Sequence, residues 1–294
     1  MLLKWVNKKT VAPFFFLAPG IIFFLVYVII PIFQSFNLSM YDWDGLGIKT
    51  YVGFENYAEL FDDEAFYTSL KNNVIWLCLY MLAVPAGLFI ALFLNQNVLG
   101  IRLYKSMFFF PFVISQVVVG MVFSWFYEPN YGLLNQILKS MGFDTFAILS
   151  DETYATYGII AAGLWPQTAY CMILYLTGLN AVNKDLIEAG RLDNARGWKM
   201  LWYIILPQLK PATFIAVVVT IIGALRSFDL ISIMTQGGPW GSTRVLAYYM
   251  YEKAFSEYGF RMGYAAAIAV VLFFIMIVYI FLFLYKMYND ERLD

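Results

Sequence analysis

Apolar runs of membrane-spanning length recur along the chain, and the loops between them carry most of the charges. Each run is long enough for a helix of about 20 residues to cross the hydrocarbon core of a bilayer. Apolar and polar positions do not alternate as they would in the strands of a membrane barrel. The pattern therefore predicts an all-α membrane protein with about six transmembrane helices. The expected spans are residues 12–36, 73–95, 106–127, 155–180, 211–234 and 263–285.

Composition supports this class and excludes others. Of the 294 residues, 62% are hydrophobic and 13% are charged, whereas about a quarter of a soluble domain is charged. A net charge of −1 provides no field that would attract nucleic acid. The chain has no histidine, which removes the commonest metal ligand and general base. We expect one transmembrane domain over residues 1–294, surrounded by lipid, with no catalytic residue and no metal site.

Basic residues predict how the chain is oriented in the membrane. With the N-terminus inside, the inner segments hold 12 Lys and Arg residues, and cytoplasmic loops are enriched in these residues. The outer segments hold fewer, among them Lys49, Lys139, Arg244, Lys253 and Arg261. We therefore expect both termini and Asn97 to face the cytoplasm, and Asp62 and Asp144 to face outward. Residues 131–142 have the pattern of a short amphipathic helix on the outer surface.

The most informative connection is residues 181–211, a long cytoplasmic loop for a helical bundle. A helix can begin after Asn183, with Asp185 in its first turn. Asp193 and Asn194 then suit a turn, because Asn tolerates the left-handed conformation. Apolar residues recur at helical spacing beyond that turn, and we expect Pro207 and Pro211 to stop this second helix. The loop is predicted to form two short surface helices with their charged faces outward and their apolar faces toward the bundle.

This loop resembles the "EAA" motif of ABC importer permeases, whose pattern is E-A-A-x-x-D-G-A, a gap, and I-x-L-P-x-x-x-P. The matching residues are Glu188, Ala189, Asp193, Ala195, Ile204, Leu206, Pro207 and Pro211. Gly190 and Asn194 depart from the pattern, and both are small or turn-tolerant residues. The resemblance implies that the loop docks into a cleft on a cytoplasmic ATPase. The residues implied for this coupling are Glu188, Ala189, Gly190, Asp193, Asn194, Ala195, Trp198, Leu201 and Pro207.

The resemblance extends over nearly the whole chain. The opening PGIIFFLVYVIIPIFQSFNLSMYDWDG and the later SFDLISIMTQGGPWGSTRVLAYYMYEKAF are similar to segments of maltose-type sugar permeases, as the first permease subunit. This implies the type I ABC importer permease fold in a bacterial cell membrane. It also implies as partners a second homologous permease, two ATP-binding subunits and an extracellular solute-binding protein. No G-x-x-x-x-G-K-[ST] sequence occurs, so ATP and Mg²⁺ are expected to bind to the partner ATPase and not to this chain.

A solute path is expected in the middle of the fourth and fifth spans, because sugar sites combine aromatic faces with groups that hydrogen-bond hydroxyls. Trp165, Gln167 and Tyr170 cluster around an expected kink at Pro166. By the resemblance, Thr220, Gly223, Ala224 and Ser227 face the path from the fifth span, with Phe112 and Gln116 joining from the third. Arg226 lies deep in its span, where a charge is costly. It either contacts the solute or pairs with Asp229 one helical turn away.

Other functions stay open at this point. A membrane enzyme would need convergent titratable groups within the spans, and only Arg226 and Asp229 lie well inside one. A secondary transporter would need paired broken helices and intramembrane carboxylates for its driving ion. An ABC permease for a polyol, glycerol phosphate or peptide is a closer alternative to one for a sugar or oligosaccharide.

Overall fold

The computed structural model describes residues 8–96, 98–256 and 260–291, and nearly all of its regular structure is helical. Within those residues, 5 helices are long and apolar enough to cross a membrane, or up to 6 if one bent pair counts as a span. The expected class of helical membrane protein is thereby confirmed. Asn97, which the sequence places on the inner side, lies outside the described residues.

The chain divides into two compact units. The first draws on the chain up to Asp63 together with Met250–Val271, and the second on Glu64–Tyr249 together with the chain from Leu272 onward. Up to Asp63 the elements are α1 (Lys8–Phe24), a π-helical turn (Leu25–Ile29), α2 (Ile30–Leu38), β1 (Tyr41–Asp42), β2 (Thr50–Tyr51) and α3 (Glu55–Asp62).

From Glu64 to Ala181 the elements are α4 (Glu64–Tyr80), α5 (Ala83–Leu94), α6 (Ile101–Val113), α7 (Gln116–Phe126), α8 (Leu133–Ser140), a 3₁₀ turn (Ile148–Ser150) and α9 (Ala155–Ala181). The remaining elements are α10 (Lys184–Leu192), α11 (Trp198–Met200), a π-helical turn (Leu201–Ile205), α12 (Leu206–Gln208), α13 (Lys210–Leu225), α14 (Asp229–Met234), α15 (Leu246–Tyr251), a π-helical turn (Glu252–Ser256) and α16 (Met262–Glu291).

The first unit contains a small antiparallel pair, in which Tyr41 faces Tyr51 and Asp42 faces Thr50. The buried Asn56 secures this pair, since its amide nitrogen donates to the carbonyl oxygens of Ser39 and Tyr41 at 2.9 and 3.0 Å. Buried backbone acceptors need such partners, because an unpaired one costs about 1–3 kcal/mol. Asn56 thus fixes the loop that follows α2.

The second unit is organised around the packing of α5 against α9. Gly87 allows the close approach: a Cβ atom there would lie 2.5 Å from the Cβ of Cys171. Small residues let helix backbones approach closely in membranes, where van der Waals packing replaces the hydrophobic driving force. The buried core beside this contact is Ala83, Val84, Ala91, Leu94, Cys171, Met172, Tyr175, Leu179, Val182, Leu209 and Ala216.

Three of the expected continuous spans are broken. The expected span 73–95 is interrupted between Tyr80, the last residue of α4, and Ala83, the first residue of α5. The expected span 106–127 is the pair α6 and α7, bent by 96°. Pro111 lies inside α6, and the side chain of Ser115 accepts a hydrogen bond from the Val118 N–H, so it caps the start of α7. The expected span 211–234 is interrupted between Leu225 and Asp229. By contrast α9 continues without a break through Pro166.

Proline also explains two of the π-helical turns. Pro31 and Pro207 each lie in the first turn of the α-helical segment that follows such a turn. Proline has no N–H to donate to the preceding turn, and the wider π-helical ring absorbs the mismatch without ending the helix. The second loop helix continues through Pro207 and ends at Gln208, before Pro211, so the expected stop lies between the two prolines. The helical path runs from Trp198 to Gln208, turns at Leu209 and resumes at Lys210.

Candidate functional site

A cavity of about 270 Å³ lies within the second unit. Its wall comes from α4, the start of α7, the middle of α9 and the interruption that follows α13. The lining residues are Trp76, Tyr80, Gln116, Gln167, Ile222, Gly223, Arg226, Ser227, Phe228, Asp229 and Leu230. Five of the ten residues expected along a solute path therefore line one cavity: Gln116, Gln167, Gly223, Arg226 and Ser227.

The interruption of the fifth span brings polar groups to the cavity. The helix α13 ends at Leu225, Arg226 occupies its C-cap, and α14 begins at Asp229. Irregular backbone at membrane depth is tolerated where it lines a cavity, because water or solute can satisfy its polar groups. The same break corrects the expectation of a one-turn helical pair between Arg226 and Asp229. No helix covers both residues, and within the described chain no ion pair or hydrogen bond joins their side chains.

One wall of the cavity is held in place by hydrogen bonds. The Gln167 amide nitrogen donates to the Thr220 hydroxyl at 2.9 Å, and Thr220 is completely buried behind it. Tyr80 donates its hydroxyl proton to the Gly163 carbonyl at 3.1 Å, and Ser227 donates to the Gly223 carbonyl at 3.0 Å. The bond to Thr220 orients the Gln167 amide, and its amide oxygen is the atom nearest to a Cβ atom built on Gly223, at 3.7 Å.

The other expected path residues lie elsewhere. Phe112 and Tyr170 stack on each other with ring centroids 4.8 Å apart and planes 4° from parallel. Trp165 lines a different and largely apolar cavity of about 500 Å³ beside Pro111 and Thr168. Ala224 is completely buried. The expected residues thus divide between a polar cavity, an aromatic pair and a second, apolar cavity.

The sequence argument missed Trp76 and Tyr80. Their positions form a series with Asn72 at four-residue spacing on α4, and all three side chains are buried. Polar and aromatic residues at one-turn spacing within an otherwise apolar span indicate a face turned to the bundle interior. Trp76 and Tyr80 lie in the expected span 73–95 and Asn72 immediately precedes it, so this spacing was visible in the sequence.

The second candidate region is the loop between α9 and α13. Asn183 caps α10, because its side chain accepts a hydrogen bond of 2.8 Å from the Asp185 N–H. The Asn183 N–H in turn donates to the side chain of Gln208 at 2.9 Å. The two ends of the loop are therefore tied together. The expected turn is present, with Asn194 at a φ of 59°.

The turn brings the two helical limbs of the loop into close contact at Gly190. The Ala195 N–H donates to the Gly190 carbonyl at 2.8 Å, and a Cβ atom at Gly190 would overlap the Cδ1 atom of Ile204. Gly190 is one of the two departures from the EAA pattern. Its missing side chain makes room for Ile204 on the opposite limb.

Most of the residues implied for ATPase coupling are exposed on the surface of this loop. Glu188, Ala189, Asp193, Asn194 and Pro207 are exposed, whereas Ala195 and Leu201 are partly buried. Ile187 and Ile205 pack against the core of the second unit, as expected of the apolar face. Leu192, Trp198 and Tyr203 depart from that expectation, with exposed fractions of 88%, 74% and 80%.

Residues 83–292 match the family described as binding-protein-dependent transport system inner membrane component. A probable ABC transporter permease, YurN of Bacillus subtilis, is 37% identical over 276 residues, which cover 92% of this chain and 94% of YurN. The chain belongs to this permease family.

Two further relatives of the permease have names that state a solute. One is the sn-glycerol-3-phosphate permease UgpA of Rhizobium meliloti, 32% identical over 92% of this chain and 93% of that protein. The other is the diacetylchitobiose uptake permease NgcF of Streptomyces coelicolor, 29% identical over 90% of this chain and 78% of that protein. The fold matches that of a bacterial alginate ABC transporter solved with a pentasaccharide-bound periplasmic protein, with a TM-score of 0.84, 23% identity, and coverage of 99% of this chain and 98% of the other.

Membership of the family confirms three expectations. The protein is a transport component and not an enzyme, it resides in the cell membrane, and its transport depends on a binding protein. The ABC permease resemblance and the type I importer fold are confirmed as well.

Proposed function

We propose that this permease forms half of the path through which an ATP-driven importer carries a sugar or oligosaccharide across a bacterial membrane. The observation that supports the proposal most directly is the partly open cavity of about 270 Å³, lined by both polar and apolar side chains, beside an interrupted span. Solute sites combine a mostly apolar wall with a few placed polar groups, and aromatic rings beside amides suit a sugar. A second, homologous permease would supply the other half.

The loop at residues 181–211 is proposed as the ATPase docking element. Tying Asn183 to Gln208 makes the loop a compact unit that can act as a lever between a partner and the bundle. Large apolar side chains exposed on a membrane protein's polar loop suit a protein partner, since Trp and Tyr are frequent anchors of interfaces. Glu188, whose carboxylate has no partner among the described residues, would pair with a basic residue of the ATPase.

Replacing Glu188 with lysine tests the docking role in the complete importer. We expect Glu188→Lys to abolish uptake and solute-stimulated ATP hydrolysis, because like charges would meet at the interface. The solute should still bind to the external binding protein with unchanged affinity. Asp144→Lys is the matched control, since it makes the same charge change at an exposed residue on the predicted outer side. Normal uptake and hydrolysis in Glu188→Lys would show that the loop does not dock the ATPase in this way.

A second solute class has a specific observation in its favour. Arg226 lines the cavity, and its guanidinium could bind a phosphate group, as needed by a permease for glycerol phosphate. Asp229 lines the same cavity and opposes an anion. Screening the partner binding protein against maltose, diacetylchitobiose and sn-glycerol 3-phosphate would separate the two classes.

A further inference from the structure

An open cavity of about 700 Å³ lies in the first unit, between α2 and the β1–β2 hairpin that follows it. Its lining residues are Ile30, Pro31, Phe33, Gln34, Ser35, Asn37, Leu38, Trp43 and Lys49. Leu38 comes eight positions after Ile30. The cavity therefore follows α2 for about 12 Å, from a rise of about 1.5 Å per residue. Because this part of α2 closes the candidate membrane span Phe16–Leu38, the cavity runs from the acyl-chain region toward the membrane surface.

The lining changes in chemistry along this path. Ile30 and Phe33 contribute large apolar side chains in the deeper turn of α2. Gln34 and Asn37 contribute amides nearer the end of the helix, and neither amide has a hydrogen-bond partner among the described residues. Apolar groups at membrane depth and free polar groups near the surface fit an amphiphile, whose chain and headgroup need those two environments.

A positive charge is held at the polar end of the cavity. Trp43 and Lys49 lie one position beyond the paired residues Asp42 and Thr50, and the Lys49 Nζ atom is 4.4 Å from the centroid of the Trp43 ring. The indole N–H of Trp43 donates to the Gly47 carbonyl at 3.0 Å, which orients the ring. A cation is attracted to the face of an aromatic ring, so this contact positions the ammonium group.

The charge of Lys49 is not neutralised by another group of the chain. Lys49 has no ion pair or hydrogen bond within the described residues, and it is the only charged residue among those that line the cavity. Asp44 lies on the same hairpin but outside the lining, and its carboxylate accepts the N–H groups of Leu46 and Gly47 at 2.9 and 2.6 Å. The cavity therefore complements an anion and offers no acidic group to an ammonium.

The tip of the hairpin also favours lipid as the neighbour. Leu46 and Ile48 are 91% and 95% exposed. Exposed apolar groups of this kind, grouped beside a polar rim, mark membrane or protein contacts. Next to the end of a span, the boundary between headgroups and acyl chains covers them without a partner protein.

We propose that this cavity binds an anionic phospholipid of the phosphatidylglycerol class from the leaflet in which α2 ends. Its phosphate lies at Lys49, its glycerol hydroxyls lie at Gln34 and Asn37, and one acyl chain lies along Ile30 and Phe33. Attraction of a basic residue to an anionic headgroup and burial of an apolar chain act together there. The site lies outside the proposed solute path, so it does not depend on which solute is carried.

The test uses the permease complex purified from cell membranes and reconstituted in nanodiscs of phosphatidylethanolamine. The probe is phosphatidylglycerol with a photoactivatable diazirine on one acyl chain, and peptide mass spectrometry identifies the labelled residues. Lys49→Gln removes the charge, and Lys49→Arg keeps it. Lys139→Gln is the matched control, because it makes the same change at an exposed residue that is also predicted to lie outside and does not line the cavity.

We expect the label on residues 30–38, and Lys49→Gln should lower it about fivefold, the effect of one basic residue close to an anionic lipid. Lys49→Arg and Lys139→Gln should be labelled like the wild type. A diazirine analogue with an ethanolamine headgroup should label residues 30–38 about as weakly as phosphatidylglycerol labels Lys49→Gln. Inorganic phosphate in solution should not compete, because it has no acyl chain. Equal melting temperatures of all variants would show that a loss of label is not a loss of folding.

Three outcomes would count against the inference. Equal labelling of residues 30–38 by the two headgroup analogues, or by phosphatidylglycerol in wild type and intact Lys49→Gln, would overturn the anionic class. Competition by inorganic phosphate would show a phosphate site and not a lipid site. If residues 30–38 take no label and benzoylphenylalanine in place of Phe33 cross-links to another protein chain, a partner protein and not a lipid covers the cavity.

Discussion

At the scale of single residues, Gly190 explains a departure from the motif that the sequence could only record. The pattern shows a small residue where the family has alanine, but it does not show what the residue contacts. The structure places the Ile204 side chain against Gly190, with thirteen residues of turn and helix between them. The size of the side chain tolerated at position 190 therefore depends on the side chain of Ile204 on the opposite limb.

This coupling predicts a graded series of variants. Gly190→Ala should keep most uptake, because only the end of the Ile204 side chain must shift. Gly190→Val should destabilise the loop by about 1–3 kcal/mol through overpacking, and uptake should fall while binding-protein affinity stays unchanged. Adding Ile204→Ala to Gly190→Val should restore uptake in part, as measured in cells with matched complex levels. Gly20→Val is the control, since a Cβ at Gly20 meets no atom within 4 Å.

Equal uptake by Gly190→Val and the wild type would mean that the limbs do not need this contact. Failure of Ile204→Ala to improve Gly190→Val would mean that the valine acts through something other than the Ile204 contact.

Polar residues inside the bundle mark the limit of sequence reasoning at this scale. Asn72 donates two hydrogen bonds to the carbonyl oxygens of Ser242 and Arg244, residues 170 and 172 positions away. Hydropathy shows that an asparagine lies at the edge of a span but not which backbone it satisfies. The same limit hid Trp76, whose ring is apolar enough to belong to any core.

At the scale of elements, periodicity and run length located helices well and breaks poorly. The expected span 155–180 is observed as Ala155–Ala181. The interruption at residues 114–115 lies between two apolar segments, so the pattern predicted one span where the chain has two helices. The polar residues at the interruption of residues 226–228 were included in one span because apolar residues follow again from Leu230. Backbone geometry, set by a proline, a cap and cavity-facing polar groups, decides these breaks.

An ion pair in the first unit joins α3 to Arg261, the residue before α16. The Arg261 guanidinium donates to both carboxylate oxygens of Glu59 on α3, with its Nη1 atom 2.6 Å from Oε1. Hydrogen bonding to Arg261, with a further contribution from its charge, lowers the pKa of Glu59 below its ordinary value of 4.5. A lowered carboxyl pKa stabilises the fold above the unfolded-state pKa, and this stability is lost as the pH falls through the folded-state pKa.

Glu59→Gln should therefore lower the melting temperature of the purified complex at pH 7, and its effect should fade as the pH falls below 4.5 and through the folded-state pKa of Glu59. The effect should amount to about 1 kcal/mol or less, since half of the Glu59 side chain surface is exposed and water screens the pair. Differential scanning fluorimetry across pH measures it, with Glu152→Gln as an exposed control. The same loss at every pH would mean that the charge of Glu59 contributes nothing.

At the scale of the whole molecule, the loop motif and the composition predicted the protein family, which the periodicity of apolar residues alone did not. The EAA-like loop and the low charge content led to a family that the match over residues 83–292 confirms. Five of the ten residues expected along a solute path line one cavity, because that cavity depends on which faces of α4, α7 and α9 meet. That arrangement arises from tertiary packing, for which a single sequence carries little signal. The orientation of the chain in the membrane likewise stays a prediction.

Orientation can be tested with single cysteines in a background in which Cys78 and Cys171 are replaced by alanine, since Cys78 is exposed. Asp62→Cys and Asp144→Cys lie at exposed positions and should react with an impermeant maleimide on intact cells. Asn97→Cys should react only after the membrane is permeabilised, because the basic residues near it favour the cytoplasmic side. The loop that carries Glu188 would then lie on the same side as the ATPase that it is proposed to dock. Labelling of residue 97 but not residue 62 on intact cells would invert the topology and place that loop on the wrong side for coupling.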